Sequence, residues 1–143
     1  MTGNPVPPES LPGPKPDSLP GSKASAISNL TVRMMSLYTG RGPTKARTHF
    51  NEDLVYVVLA DTLTKGEHTL VANGYSEMVL ATRKTFQDTM SAELVAGVEH
   101  ILGRTVIAFL STNHIDPDVA IETFILAPTT HPAAEEISEL HGD

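Results

Sequence analysis

The sequence predicts an α+β domain: a four-stranded antiparallel sheet built from two β-hairpins, with about three helices on one face, in the order α-β-β-α-α-β-β. Three observations carry that expectation. Residues 45–61 and 105–126 each hold two short runs with β-branched and aromatic side chains, separated by turn residues. Residues 24–39 and 76–102 instead repeat apolar side chains at spacings of three and four, the period of a helix face. Glycine and proline fall at the joints between these stretches, apart from Gly66 and Gly97.

Residues 1–23 are dominated by Pro, Gly and Ser, and their few apolar side chains have no period. Such a segment buries too little surface to offset its ordering entropy, so a disordered tail of polyproline character is expected. In the helix at 24–39, Ile27, Leu30, Met34, Leu37 and Tyr38 form one apolar stripe. Met34 is expected as core filler and Met35 as a flanking contact. Ser25 is placed as N-cap, Gly40 can take the positive φ of a helix stop, and Pro43 forbids continuation. Residues 45–50 alternate, with Ala46, Thr48 and Phe50 on one face and Lys45, Arg47 and His49 on the other. Charge on such an edge strand discourages edge-to-edge pairing. After the turn Asn51-Glu52-Asp53, residues 54–61 are apolar on both faces, as a central strand should be.

Thr64 and Glu67 have capping-box spacing and open a short helix from Lys65 to Asn73, with Gly74 as its stop. Ser76 is expected to cap a long helix running to Leu102, with Val79, Phe86, Met90, Leu94, Val98 and Ile101 as its stripe. Gly97 in that helix costs up to about 1 kcal/mol against Ala, which predicts close packing on a neighbour. Gly103 ends the helix. Strands at 105–111 and 119–126 follow, joined by a turn over Thr112–Asp118 rich in Asn, Asp and Pro. Residues 128–143 form an acidic tail. The expected division is therefore a tail at 1–23, one α+β domain at 24–127 and a second tail at 128–143.

Composition narrows the function classes. With 143 residues, 40% hydrophobic, and no Trp, the chain can bury one modest core. Cysteine is absent, which excludes disulfides, thiolate nucleophiles and Cys-ligated metals and fits a reducing compartment. The formal charge is −7, and Glu135, Glu136, Glu139 and Asp143 account for four of it. Net acidity argues against nucleic-acid partners, which require phosphate neutralisation. No apolar run reaches the ~18–20 residues of a membrane span, so no direct membrane insertion is expected. No basic n-region precedes an apolar stretch, so a soluble, cytoplasmic protein is expected.

Chemistry concentrates in one place. Gly40-Arg41-Gly42-Pro43 is followed by Lys45 and Arg47, three of the ten Lys/Arg residues within seven positions. The glycines allow close backbone approach, so Arg41, Gly42, Lys45 and Arg47, joined by Arg83 and Arg104, are candidates to bind an anion or a protein partner. The bland alternative is a helix stop followed by a charged edge strand. Arg104 equally suits the carbonyls at the end of the long helix, and Arg83 a surface acid such as Glu77 or Glu99. His114-x-Asp116-x-Asp118 carries metal-type ligands, but the same residues suit a hairpin turn, and no metal or cofactor is expected. Glu122 reads either as a buried acid or as a solvent-facing residue of a half-exposed sheet, and the second is the simpler. Ser111 near His114 lacks a nucleophile elbow. No catalytic residues are predicted. Apolar strands and a Met-rich helix predict a homodimer that covers an unpaired sheet face or edge.

From Ile27 to Leu126 the chain resembles the MpsC family, accessory domains of a sodium-translocating membrane potential-generating system. The resemblance lies in the GRGP loop at 40–43, Leu63-Thr64-x-x-Glu67, Arg83, Gly103-Arg104-x-Val106, and a final hairpin with His114 and Phe124. It implies a small cytoplasmic partner of a membrane ion or bicarbonate uptake system, that is, a membrane transport complex. It implies no catalytic residues. An accessory domain acting through protein contacts and an anion-binding module (phosphate, nucleotide or carboxylate) are the two readings this leaves.

Overall fold

A computed structural model describes residues 20–129. Most of both expected tails lies outside those residues. In chain order the elements are α1 (Pro20–Thr39), β1 (Lys45–Asn51), β2 (Leu54–Ala60), α2 (Lys65–Ala72), α3 (Ser76–Leu102), β3 (Val106–His114) and β4 (Val119–Leu126). This is the expected α+β order. The strands form one antiparallel sheet in the order β1-β2-β4-β3. The two hairpins are thus joined through β2 and β4, with Val57 opposite Glu122 and Leu59 opposite Ala120. The α2–α3 connection carries the chain across to the far edge, where β3 starts.

α1 packs on β1 and α3, and α3 packs on α1 and β3, so the two long helices form one layer over one sheet face. Alternation decides what they cover. Val55, Val57 and Leu59 of β2 and Ala120, Phe124 and Leu126 of β4 point at the helices and are buried. They meet Ile27, Met34 and Met35 of α1 and Met90, Leu94 and Val98 of α3. Each such large side chain contributes about 1.5–3 kcal/mol when fully buried. Phe109 of β3 stacks obliquely on Phe124, with ring centroids 5.0 Å apart. Gly97 sits where the helices touch: a Cβ there would lie 2.5 Å from Leu30 Cδ2. That is the close packing its place in a helix predicts.

Several local expectations change. α1 begins at Pro20, whose fixed φ and missing N–H suit a first helical turn, so Ser25 lies inside the helix and not at its cap. Leu37 is 72% exposed and leaves the stripe, while Met35, at 1%, is more deeply buried than Met34. Both methionines join the core, as α1 packs on α3 and on β1 at once. The residue at the N-cap of α3 is Tyr75, which makes no side-chain cap bond, and not Ser76. Gly103 ends α3 at φ 66°, as expected. β3 runs on to His114, so the turn before β4 is shorter than the predicted one. Glu122, expected to face solvent, is fully buried, because the β4 register sends it inward with Ala120 and Phe124.

Candidate functional site

The end of the sheet where β2 stops and β4 starts collects the chain's polar chemistry. Gly40, at φ 87°, stops α1 and donates its N–H to Ser36 O at 2.9 Å. The chain then passes close to α1: a Cβ on Gly42 would lie 2.4 Å from Ser36 Oγ and 3.2 Å from Val32 O. This delivers Arg41 to Asp61, where its guanidinium donates to the Asp61 backbone carbonyl and, at 2.9 Å, to Oδ2. Asp61 holds a left-handed φ of 61°, uncommon for a residue with a Cβ. The hydrogen bond from Arg41, helped by one from Thr44, holds its carboxyl below the ordinary aspartate value.

From Asp61 a chain of hydrogen bonds crosses the molecule. Asp61 N–H donates to Asp118 O, and the Asp118 carboxylate accepts from Thr62 Oγ1 and Leu63 N–H, both at 2.9 Å. The capping box then closes α2: Glu67 N–H donates to Thr64 Oγ1 at 3.1 Å, and Thr64 N–H to Glu67 Oε1 at 2.8 Å. The same Oε1 accepts Arg83 Nη1 at 2.7 Å, inside the protein. Arg83 Nε reaches Asn113 Oδ1 at 3.4 Å. Asn113 and Gln87 exchange amide hydrogen bonds at 2.8 and 3.0 Å. Gln87 Nε2 also donates to Glu122 Oε2 at 2.9 Å, and Ser111 Oγ donates to Glu122 Oε1. Burial pushes the Glu122 carboxyl above the ordinary glutamate value, against the lowering pull of Ser111, Gln87 and Arg83. Neither hollow described below reaches it. Its two oxygens are engaged, which makes it a tie between α3, β3 and β4.

The predicted arginines therefore occupy three places. Arg41 and Arg83 lie at the same end of the sheet, but each is clamped to its own acid. Arg104 lies at the opposite end, where Nη2 donates to Asp53 Oδ1 at 2.6 Å and to Ala127 O at 2.7 Å. Asp53 and Asp61 bracket β2, so Arg41 and Arg104 are separated by roughly 26 Å of strand. The pairings suggested for Arg83, with Glu77 or Glu99, give way to Glu67 because α2 lies against α3 there. Glu99 instead accepts the N–H of Val106 at 2.8 Å.

Lys45 and Arg47 behave differently. Among the described residues neither makes an ion pair, and both are exposed. With His49 they line a hollow of about 450 Å³ that also touches Thr44, Ala46, Val58 and Ala60. His49 stacks on Tyr56, ring centroids 4.9 Å apart and 19° from parallel. A second hollow of about 360 Å³ lies between α1 and β1, bounded by Ser25, Ser28, Asn29 and Arg47. The alternation of residues 45–50 made the basic side of β1 legible in the sequence. Sequence reasoning missed Gln87 and Asn113, since uncharged amides carry no local signal of burial.

Metal-type ligands converge at Asp61, His68 and Asp118, one ligand atom each within 4.8 Å of the others. Arg41 already pairs with Asp61, and both Asp118 oxygens accept hydrogen bonds, so both carboxylates are engaged within the fold. The run at 114–118 does not converge: His114 Nδ1 bonds Pro117 O, and Asp118 turns toward Thr62 and Leu63. Ser111 faces Glu122 and not His114.

Among the described residues no helix is long and apolar enough to cross a membrane. A family model described as Na+-translocating membrane potential-generating system (MpsC) matches residues 20–128. Neither the curated proteins nor the solved structures hold a match to the chain.

Proposed function

The chain belongs to the MpsC family, and from that premise we propose that it is a small cytoplasmic, non-enzymatic accessory or regulatory domain of a Na+-linked membrane transport complex. It acts through protein contacts and as a homodimer. One observation carries this reading. Arg41, Arg83 and Arg104 are each committed to an acid within the fold, whereas Lys45 and Arg47 are left unpaired on the edge strand among the described residues. The contact surface is then the GRGP loop and the basic side of β1. Purified domain should cosediment with washed native membranes and not with protein-free liposomes, and Lys45→Glu/Arg47→Glu should abolish this. Equal sedimentation with liposomes, or none with native membranes, would overturn it.

A second reading has its own observation: two cations, unpaired among the described residues, and an imidazole surround the hollow beside Val58 and Ala60. Phosphate, a nucleotide or bicarbonate would be held there by charge and by guanidinium hydrogen bonds. Such a ligand at high excess should raise the melting temperature, since it binds only the folded state. The rise should vanish in Arg47→Ala. No rise in the wild-type chain excludes this reading and leaves the first one standing.

A further inference from the structure

We propose that the open face of the sheet is the interface with a second copy of this chain, joined by a two-fold axis running parallel to the strands. This rests on the homodimer reading above and gives it a surface and a geometry. Among the described residues the helices cover only one face. The other presents Leu54, Tyr56, Val58 and Ala60 from β2 beside Val119, Ile121, Thr123 and Ile125 from β4. A sheet face left to water normally alternates to polar residues. Here Thr123 alone breaks an apolar set across both central strands. β3 extends it with Leu110 and Ile107, 53% and 60% exposed, the latter at a register shift between Val106 and Ala108.

Size and charge favour a second copy. Four strands at ~4.8 Å spacing and seven or eight residues at ~3.4 Å rise give a flat footprint near 500 Å². Side-chain relief brings the accessible area close to the ~600–800 Å² per partner of a stable interface. The formal charges of the strand residues on this face are Lys45 and Arg47, both on β1 at one margin, and no acid accompanies them. An axis parallel to the strands lays β1 over β3 of the second copy. Each basic margin then meets Leu110, Thr112 and His114, and the apolar central strands meet at the middle. An axis across the strands would stack β1 on β1 and set Lys45, Arg47 and His49 against their own copies, which like charge disfavours. Lys45 and Arg47 lie at the rim of this interface, where their long side chains reach past the seam, so with the β1 backbone edge and the GRGP loop they stay available to the transport partner.

The absence of cysteine makes the geometry directly testable. Arg47 and Thr112 stand in one row across the sheet, Arg47 opposite Val58, Val58 opposite Ile121, Ile121 opposite Thr112. Full-length Arg47→Cys and Thr112→Cys chains, mixed and treated with a short flexible bismaleimide, should cross-link to each other and neither to itself. Cross-linking of Arg47→Cys to itself would overturn the axis. In analytical ultracentrifugation the wild-type chain should be a dimer at micromolar concentration. Ile121→Lys should weaken dimerisation by roughly a hundredfold or more, because it buries an unpaired ammonium. Leu110→Lys, at an exposed position that tolerates the change in the monomer, should weaken it less, and both should keep native circular dichroism. A wild-type chain that is monomeric throughout overturns the homodimer reading itself. A wild-type dimer unaffected by either lysine overturns only the choice of face.

Discussion

The ion pair between Glu67 and Arg83 should be the most sensitive polar contact in the fold, and a double-mutant cycle can measure it. Arg83 is 2% exposed and Glu67 is 9% exposed, so water solvates neither charge well. Glu67→Gln keeps the capping box, since glutamine serves at that position, and removes only the charge facing Arg83. The buried guanidinium then loses the counter-ion it is hydrogen-bonded to, a change that costs about 3–5 kcal/mol. Against a total stability of about 5–15 kcal/mol this is a large share. Arg83→Met should cost less, because Glu67 keeps its hydrogen bond from Thr64 N–H at the helix start. The double variant Glu67→Gln/Arg83→Met should return to within about 1 kcal/mol of wild type, as replacing a whole buried pair by neutral groups often does. Without Trp, urea unfolding followed by far-ultraviolet circular dichroism is the suitable assay. A Glu67→Gln variant within about 0.5 kcal/mol of wild type, or a double variant as unstable as the sum of the singles, would refute the buried-pair reasoning.

Other consequences follow from the same geometry. The Glu122 carboxyl is raised in the folded state, so its contribution is complete below the unfolded value of about 4.3 and is lost as pH rises through the folded value. Glu122→Gln should therefore flatten stability against pH above about 4.3 without lowering the melting temperature at neutral pH; an unchanged slope would contradict the burial argument. Asp61 runs the other way: its lowered carboxyl contributes above the unfolded value of about 3.9 and fails as pH falls through the folded value, so Asp61→Asn should reduce acid sensitivity in thermal melts. Gly42→Ala drives a Cβ into Ser36 Oγ and Val32 O and should cost about 1–3 kcal/mol, with partial recovery in Gly42→Ala/Ser36→Ala as the check. Arg41→Ala frees the Asp61 carbonyl and carboxylate, so amide exchange should quicken at Asp61–Leu63 and stay unchanged near Arg104; uniform quickening would mean global loss instead.

Much of the fold was legible because each element's local signals agreed. The box at Thr64 and Glu67, Gly103 at its positive φ, and the alternation of residues 45–50 each mark structure with residues close in sequence. What was hidden depended on neighbours distant in sequence. Glu122 looked like a surface residue because its burial depends on Gln87 and Ser111, and on β4 lying second from the sheet edge. Leu37 looked like core because a helical stripe does not say where the partner surface stops. The basic cluster was visible, but its division into a clamped Arg41 and an exposed Lys45 and Arg47 was not. That division depends on Asp61 arriving from the far end of β2.

The central claim is that the fold commits Arg41, Arg83 and Arg104 to its own stability and leaves the basic side of β1 for partners. The direct measurement is Na+-dependent membrane potential in cells lacking the chain, complemented by wild type or by Lys45→Glu/Arg47→Glu. The account predicts that the variant melts like wild type and fails to restore the potential. Full restoration by a folded Lys45→Glu/Arg47→Glu chain would contradict it.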